Sequence, residues 1–194
     1  AIAQVIQLSG ISGKGNNMIL FEFSQNEPES LEEPLNTHDI LLATGFDICV
    51  LSTSYKGFGY KKQIHIWITS RDYENANLMI LLGYILMGHP EWKDGYIKIF
   101  ALHEASELER KREDLKALIK AGRLPISLNN INLIPTDDPD DQKEIISSTS
   151  VDADLTIIGF RNEVIKSSGY KVFTGYEKLG NILFVSSNKE KEIK

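Results

Sequence analysis

The chain has one cysteine in 194 residues, only six prolines, and no apolar run approaching the roughly 20 residues needed to cross a bilayer. A single thiol, Cys49, permits no intrachain disulfide and fits a reducing compartment; set in the apolar run 46–51, it reads as a small buried hydrophobe. Basic charge is also short: 21 Lys and Arg stand against 27 Asp and Glu, a net charge of −6, so no positive stripe is available to neutralise phosphates and no nucleic-acid partner is expected. The longest apolar stretch, Leu78 to Met87, is interrupted by Gly83 and Tyr84. The chain opens on Ala1-Ile2-Ala3-Gln4, without an initiator Met or a basic segment leading into an apolar one, so no signal peptide is read and a fragment of a longer polypeptide is expected.

Catalytic and metal-binding patterns are equally sparse. The four histidines, His38, His65, His89 and His103, include no i, i+4 pair, and neither metal nor cofactor is expected. No serine sits in a Gly-x-Ser-x-Gly elbow, and the lone cysteine has no paired base in sequence, so no catalytic residue is assigned and the chain is not read as an enzyme. The loop Ser9-Gly10-Ile11-Ser12-Gly13-Lys14-Gly15 has the wrong spacing for a phosphate loop and runs from helix to strand, so it reads as a capping turn. The acidic run Asp137-Asp138-Pro139-Asp140-Asp141 lacks the central Gly and closing Glu of a calcium loop and suits the start of a helix instead.

What is present is alternation. From Lys62 onward, five β-branched runs, 63–68, 96–101, 131–134, 154–159 and 181–186, are separated by helical patterns, the signature of repeated βα units and a parallel sheet. The first intervening helix, about 75–87, is apolar enough to be buried on most faces, against either the front segment or a second subunit. The next, about 105–121, carries a charged outer face around Leu108, Leu115, Leu118 and Ile119. A short helix is expected around 142–148, and another around 172–179 before the last strand. Tyr170, Val172, Phe173 and Tyr176 suit a core if buried and a protein interface if exposed.

Ahead of Lys62 the same grammar is shortened: a helix at 1–8, a strand at 18–23, a helix at 31–44 and a strand at 48–52. The expected fold class is therefore α/β, a doubly wound parallel sheet of the universal-stress-protein kind, with a complete five-stranded lobe at 61–194. Residues 1–60 form the second half of a partial N-terminal lobe, and 54–61 is the connection. Universal stress proteins, which share this βα order, hold ATP with a Gly-x-x-Gly pair after the fourth strand; here that region reads Gly159-Phe160-Arg161-Asn162-Glu163 and the pair is absent. Open α/β sheets bind ligands beyond the carboxyl ends of their strands, which makes Ser70, Asp72 and Gly159 the switch-point candidates for a cofactor site. Ser70 and Asp72 equally suit capping of the helix that follows.

Three segments together carry a family resemblance: Ile64-His65-Ile66-Trp67-Ile68, then Asn77-Leu78-Met79-Ile80-Leu81-Leu82-Gly83-Tyr84-Ile85-Leu86, then Glu91-Trp92-Lys93-Asp94-Gly95-Tyr96-Ile97-Lys98-Ile99-Phe100. A Trp-bearing strand, a leucine-rich helix ending in Tyr, and a Trp-Lys turn into a strand, in this order, resemble the cytoplasmic C-terminal domain of cation–chloride cotransporters. The likeness extends to Arg110-Lys111-Arg112, to 153–159, to the last strand, and to Phe46-Asp47-Ile48 in the front segment. The family's paired Asp and paired Gly before the leucine-rich helix are reduced to Asp72 and Glu74-Asn75-Ala76, and the long acidic insertion of animal members is a short loop, so a compact prokaryotic member is suggested. The resemblance implies a regulatory domain on the cytoplasmic face of the cell membrane, attached to the membrane domain of the same polypeptide and pairing as a homodimer, with no transport or catalysis of its own. The rival reading is a nucleotide-binding module of the stress-protein kind.

Overall fold

The computed structural model describes residues 15–69, 73–121, 127–136, 138 and 141–189. Seven strands form one sheet: β1 (Met18–Ser24), β2 (Asp47–Thr53), β3 (Gln63–Thr69), β4 (Tyr96–His103), β5 (Ile131–Pro135), β6 (Leu155–Gly159) and β7 (Asn181–Ser186), in the order β1-β2-β7-β6-β3-β4-β5. All neighbours are parallel except β2 and β7, which run antiparallel with Val50 opposite Phe184. The five strands from β3 onward make a doubly wound α/β sheet, all parallel, in which the direction of winding reverses between β3 and β6. Strands β1 and β2 extend that sheet past β7. The expected connection, residues 54–61, is a run of turns leading to β3, in which Gly57, Gly59 and Lys61 all have positive φ.

Strands β2, β3, β4, β6 and β7 are buried on both faces over most of their length, whereas the edge strands β1 and β5 are only partly buried, so β-branched and aromatic residues of the inner strands alternate between two cores. On one face, Ile64, Ile66, Ile68, Ile97, Ile99, Leu155 and Ile157 meet α3 (Ala76–Met87) and α4 (Leu108–Ala121). On the other, Trp67, Phe100, Ile158, Ile182 and Phe184 meet α1 (Glu32–Leu35), α2 (His38–Ala43), α5 (Gln142–Thr149) and α6 (Asn162–Ser168). Gly83 lets α3 lie close on the sheet: a Cβ there would come within 3.0 Å of Ile66 Cδ1 and 3.4 Å of Ile97 Cδ1.

Three helical expectations need correction. The helix expected at 31–44 is instead a 3-10 turn, Pro28–Leu31, followed by α1 and α2. The break falls at Thr37, whose Oγ1 donates to the Pro34 carbonyl at 2.7 Å while its own carbonyl starts α2 by accepting from Ile40 and Leu41. The helix expected at 172–179 is absent; α6 lies earlier, and Gly169, at φ +54, ends it ahead of a 3-10 turn, Gly169–Phe173. Helix α3 is fully buried only in its first half, since Tyr84 and Ile85 are 42% and 59% exposed. The apolar run exceeds what the sheet beneath it can cover.

The helix at 1–8 and all of the 9–15 loop except Gly15 lie outside the described residues. So do Asp137, Pro139 and Asp140 of the acidic run.

Candidate functional site

Among the expected site residues, Ser70 and Asp72 lie outside the described residues, while Gly159 is the buried last residue of β6. Gly159 lines a crevice of about 550 Å³ at the carboxyl ends of β3 and β6, where the direction of winding switches. Its floor is apolar, made by Ile146, Ile158, Phe160 and Phe184, with Val172 and Tyr176 beside it. Its polar lining includes Lys143 from the first turn of α5, Arg161 from the β6–α6 link, and Lys171 from the 169–173 turn. None of the described residues lining it is acidic.

These cations escaped the sequence reading because they come from three separate segments and show no periodicity. Arg161 alone carried a signal, its place two residues after the end of β6. Its Nε lies 3.4 Å from Glu163 Oε2. Lys143 donates to the Thr174 carbonyl at 2.7 Å and sits 5.1 Å from the centre of the Tyr176 ring. Although its side chain reaches solvent, partial desolvation lowers its pKa, and Glu177 opposes that shift.

The Phe160 and Ser187 backbone groups near the crevice are already used. The Phe160 N–H donates to the Val185 carbonyl at 3.0 Å, and the Phe160 carbonyl accepts from Asn75 Nδ2 at 3.0 Å. Asn75 Oδ1 in turn accepts from the Ser187 N–H at 2.8 Å. Asp47 Oδ1 accepts from the Asn188 N–H at 3.0 Å, so the exit of β7 is held from both sides.

The histidines serve structure. His38 Nε2 lies 3.1 Å from Asn162 Oδ1 and joins α2 to α6. His65 and Trp67 both reach Ser150 Oγ, at 2.9 and 2.8 Å. His89 Nδ1 accepts from the Glu91 N–H. His103 is buried, its pKa lowered first by desolvation. Among the described residues no group of three or more His, Cys, Asp or Glu could hold a metal ion. Burial, with Asp47 adding to it, pushes the Cys49 thiol up to about 12, which removes it as a nucleophile near neutral pH.

A second feature lies at the opposite end of the sheet. Tyr84, Ile85 and Met87 of α3, with Tyr96 and Ile97 of β4, line a largely apolar groove of about 440 Å³. In the aromatic stretch near the other core, Phe173 and Tyr176 are buried and Tyr170 and Val172 pack against them, so these four residues belong to the core. No described helix is long and apolar enough to cross a membrane.

No protein-family model matches the chain, and no curated protein matches it. Among solved structures it is similar to the crystal structure of the cytoplasmic domain of a prokaryotic cation chloride cotransporter. The match covers 98% of this chain and 70% of that one, at 15% sequence identity and a TM-score of 0.63. The shared property is the fold, and it is the α/β fold expected from the sequence resemblance.

Proposed function

We propose that the chain is a regulatory and dimerising cytoplasmic domain of a cation–chloride cotransporter, held at the cytoplasmic face of the cell membrane by the membrane domain of the same polypeptide. The observation that carries this reading is the similarity in fold across 98% of the chain to a cytoplasmic domain of that family. The family resemblance carried by residues 62–102 supports it. In this reading residues 61–194 are a complete lobe and residues 1–60 the second half of a preceding one, joined edge to edge through β2 and β7. Transport and catalysis belong elsewhere; the domain relays association or conformation to the membrane helices.

The pairing surface in this reading is the groove at the end of α3. Ile85, 59% exposed on a helix whose sequence is apolar all round, and Tyr96, 38% exposed at the start of β4, leave apolar area uncovered. A two-fold axis near Ile85 sets the patch against its own copy.

Two measurements test the proposal. In native cells an antibody to this domain is expected to detect one much larger polypeptide in the membrane fraction; a soluble band near 21.8 kDa overturns the transporter assignment. In sedimentation equilibrium the isolated chain is expected to dimerise and Ile85→Asp to weaken association at least tenfold, an effect of about 1.4 kcal/mol or more. A monomeric parent chain, or an unaffected variant, removes this surface from the proposal.

A further inference from the structure

The crevice beside Gly159 carries a feature that the transporter reading does not use. In a protein of net charge −6, its described lining holds three cations, Lys143, Arg161 and Lys171, and no carboxylate. A local reversal of charge over an apolar floor selects for a ligand with an anionic head and an apolar body. We infer that this crevice binds a phosphate monoester with a flat apolar body, of the nucleoside monophosphate class, and grips the phosphate through side chains.

Charge and free valence support the phosphate. Lys171 makes no ion pair among the described residues, and the Lys143 ammonium meets a carbonyl and an aromatic ring rather than a carboxylate. Arg161 does have an acidic neighbour, Glu163, and Glu177 acts on Lys143. Neither acid is among the residues lining the crevice. Three cations match a dianionic monoester better than a monocarboxylate, and charge-assisted bonds to phosphate are strong where water is partly excluded.

The apolar body has its own surface. Val172 and Tyr176 stand beside Phe160 and Phe184, and Val164 of α6 contributes a solvent-reached methyl face. A volume of about 550 Å³ lies within the range of small-ligand pockets, about 300–1,000 Å³. Position agrees as well, since open α/β sheets place ligands beyond the carboxyl ends of strands where the winding reverses. The mode of grip differs from a glycine-rich loop because the Phe160 and Ser187 amides already have backbone or side-chain acceptors.

The inference stands apart from the transporter proposal. It is tested on the purified chain by calorimetric titration with AMP, GMP, CMP and UMP, and with adenosine and inorganic phosphate as half-ligands. At least one nucleotide is expected to bind with a Kd of about 100 µM or tighter, and each half-ligand at least tenfold more weakly. Lys171→Glu, at an exposed position, is expected to weaken that nucleotide at least tenfold while leaving the unfolding temperature unchanged. Arg161→Gln is expected to weaken it by a smaller factor. Absence of binding by all four nucleotides overturns the inference. So does a half-ligand that binds as tightly as its nucleotide, or an unchanged affinity in Lys171→Glu.

Discussion

Asp154→Ala is expected to destabilise the domain by about 3 kcal/mol, read as a fall in the denaturant midpoint without a change in slope. Asp154 stands just ahead of β6, and its carboxylate collects three backbone amides from the start of β3. Oδ1 accepts from Tyr60, and Oδ2 accepts from Lys62 and Gln63, each at 2.8 Å. The Asp154 N–H completes the link by donating to the Gln63 carbonyl at 3.0 Å. Hydrogen bonds to a charged acceptor contribute about 1.5–3 kcal/mol each, but part of this cluster faces solvent and water recovers some of the loss, hence a total nearer one bond's upper figure than three. Lys61 has a φ of 55°, a conformation that an L side chain adopts only when held, and the bonds on either side of it hold it. Gly59 is part of the same construction: a Cβ there would collide with Asp154 Oδ1. Asp154→Asn keeps one acceptor oxygen and is expected to cost about half as much. A loss below about 1 kcal/mol for Asp154→Ala would mean that water replaces the carboxylate fully.

This cluster also shows where sequence reading stops. Of the five strands from β3 onward, β3, β4, β6 and β7 were legible because burial on both faces writes itself into consecutive apolar residues, and the partly buried edge strand β5 was legible from its short apolar run Ile131–Pro135. The doubly wound parallel class followed from the alternation of strands with helices, whereas the order of the strands and the antiparallel pairing of β2 with β7 were not legible. The bond from Asp154 to Lys62 spans 92 positions and leaves no periodic trace in either segment. One short polar side chain and one glycine decided the places where helix prediction failed. Thr37 takes the Pro34 carbonyl and divides 31–44, and Gly169 ends α6 so that 172–179 cannot continue it. The exposed end of α3 was missed because an apolar pattern reports what a helix carries, not how far the sheet extends beneath it. At the switch point, Gly159 was legible from its place at the end of a strand, whereas Lys143 and Lys171 reach the crevice only through the tertiary packing of α5 and the 169–173 turn.

Stability is expected to fall by about 3 kcal/mol as pH is lowered from 6.5 to 4, through His65 alone. His65 is 3% exposed, and desolvation is the largest cause of its pKa, which is lowered to about 4. Lys98 adds to that shift, and Asp154 and Asp152 oppose it. The sign follows from proton counting. An unfolded chain takes up the proton near pH 6.5 and the folded one only near 4, so between these values the unfolded state binds more protons and stability drops with falling pH. Above 6.5 both forms are neutral, and well below 4 both are charged, so the loss levels off at each end. Geometry gives the reason that the folded ring resists the proton. Nδ1 faces Ser150 Oγ, which already accepts from the Trp67 indole N–H, and Nε2 has no partner among the described residues. A protonated ring donates at both nitrogens, and the second N–H would be buried without an acceptor. His103, lowered in the same direction by burial, deepens the fall. Denaturant midpoints at pH 7, 5.5 and 4.5 for the parent and for His65→Gln separate this contribution from the carboxylates. The variant is expected to lose less stability over that span, and parallel curves for the two proteins would show that His65 does not titrate differently in the folded and unfolded states.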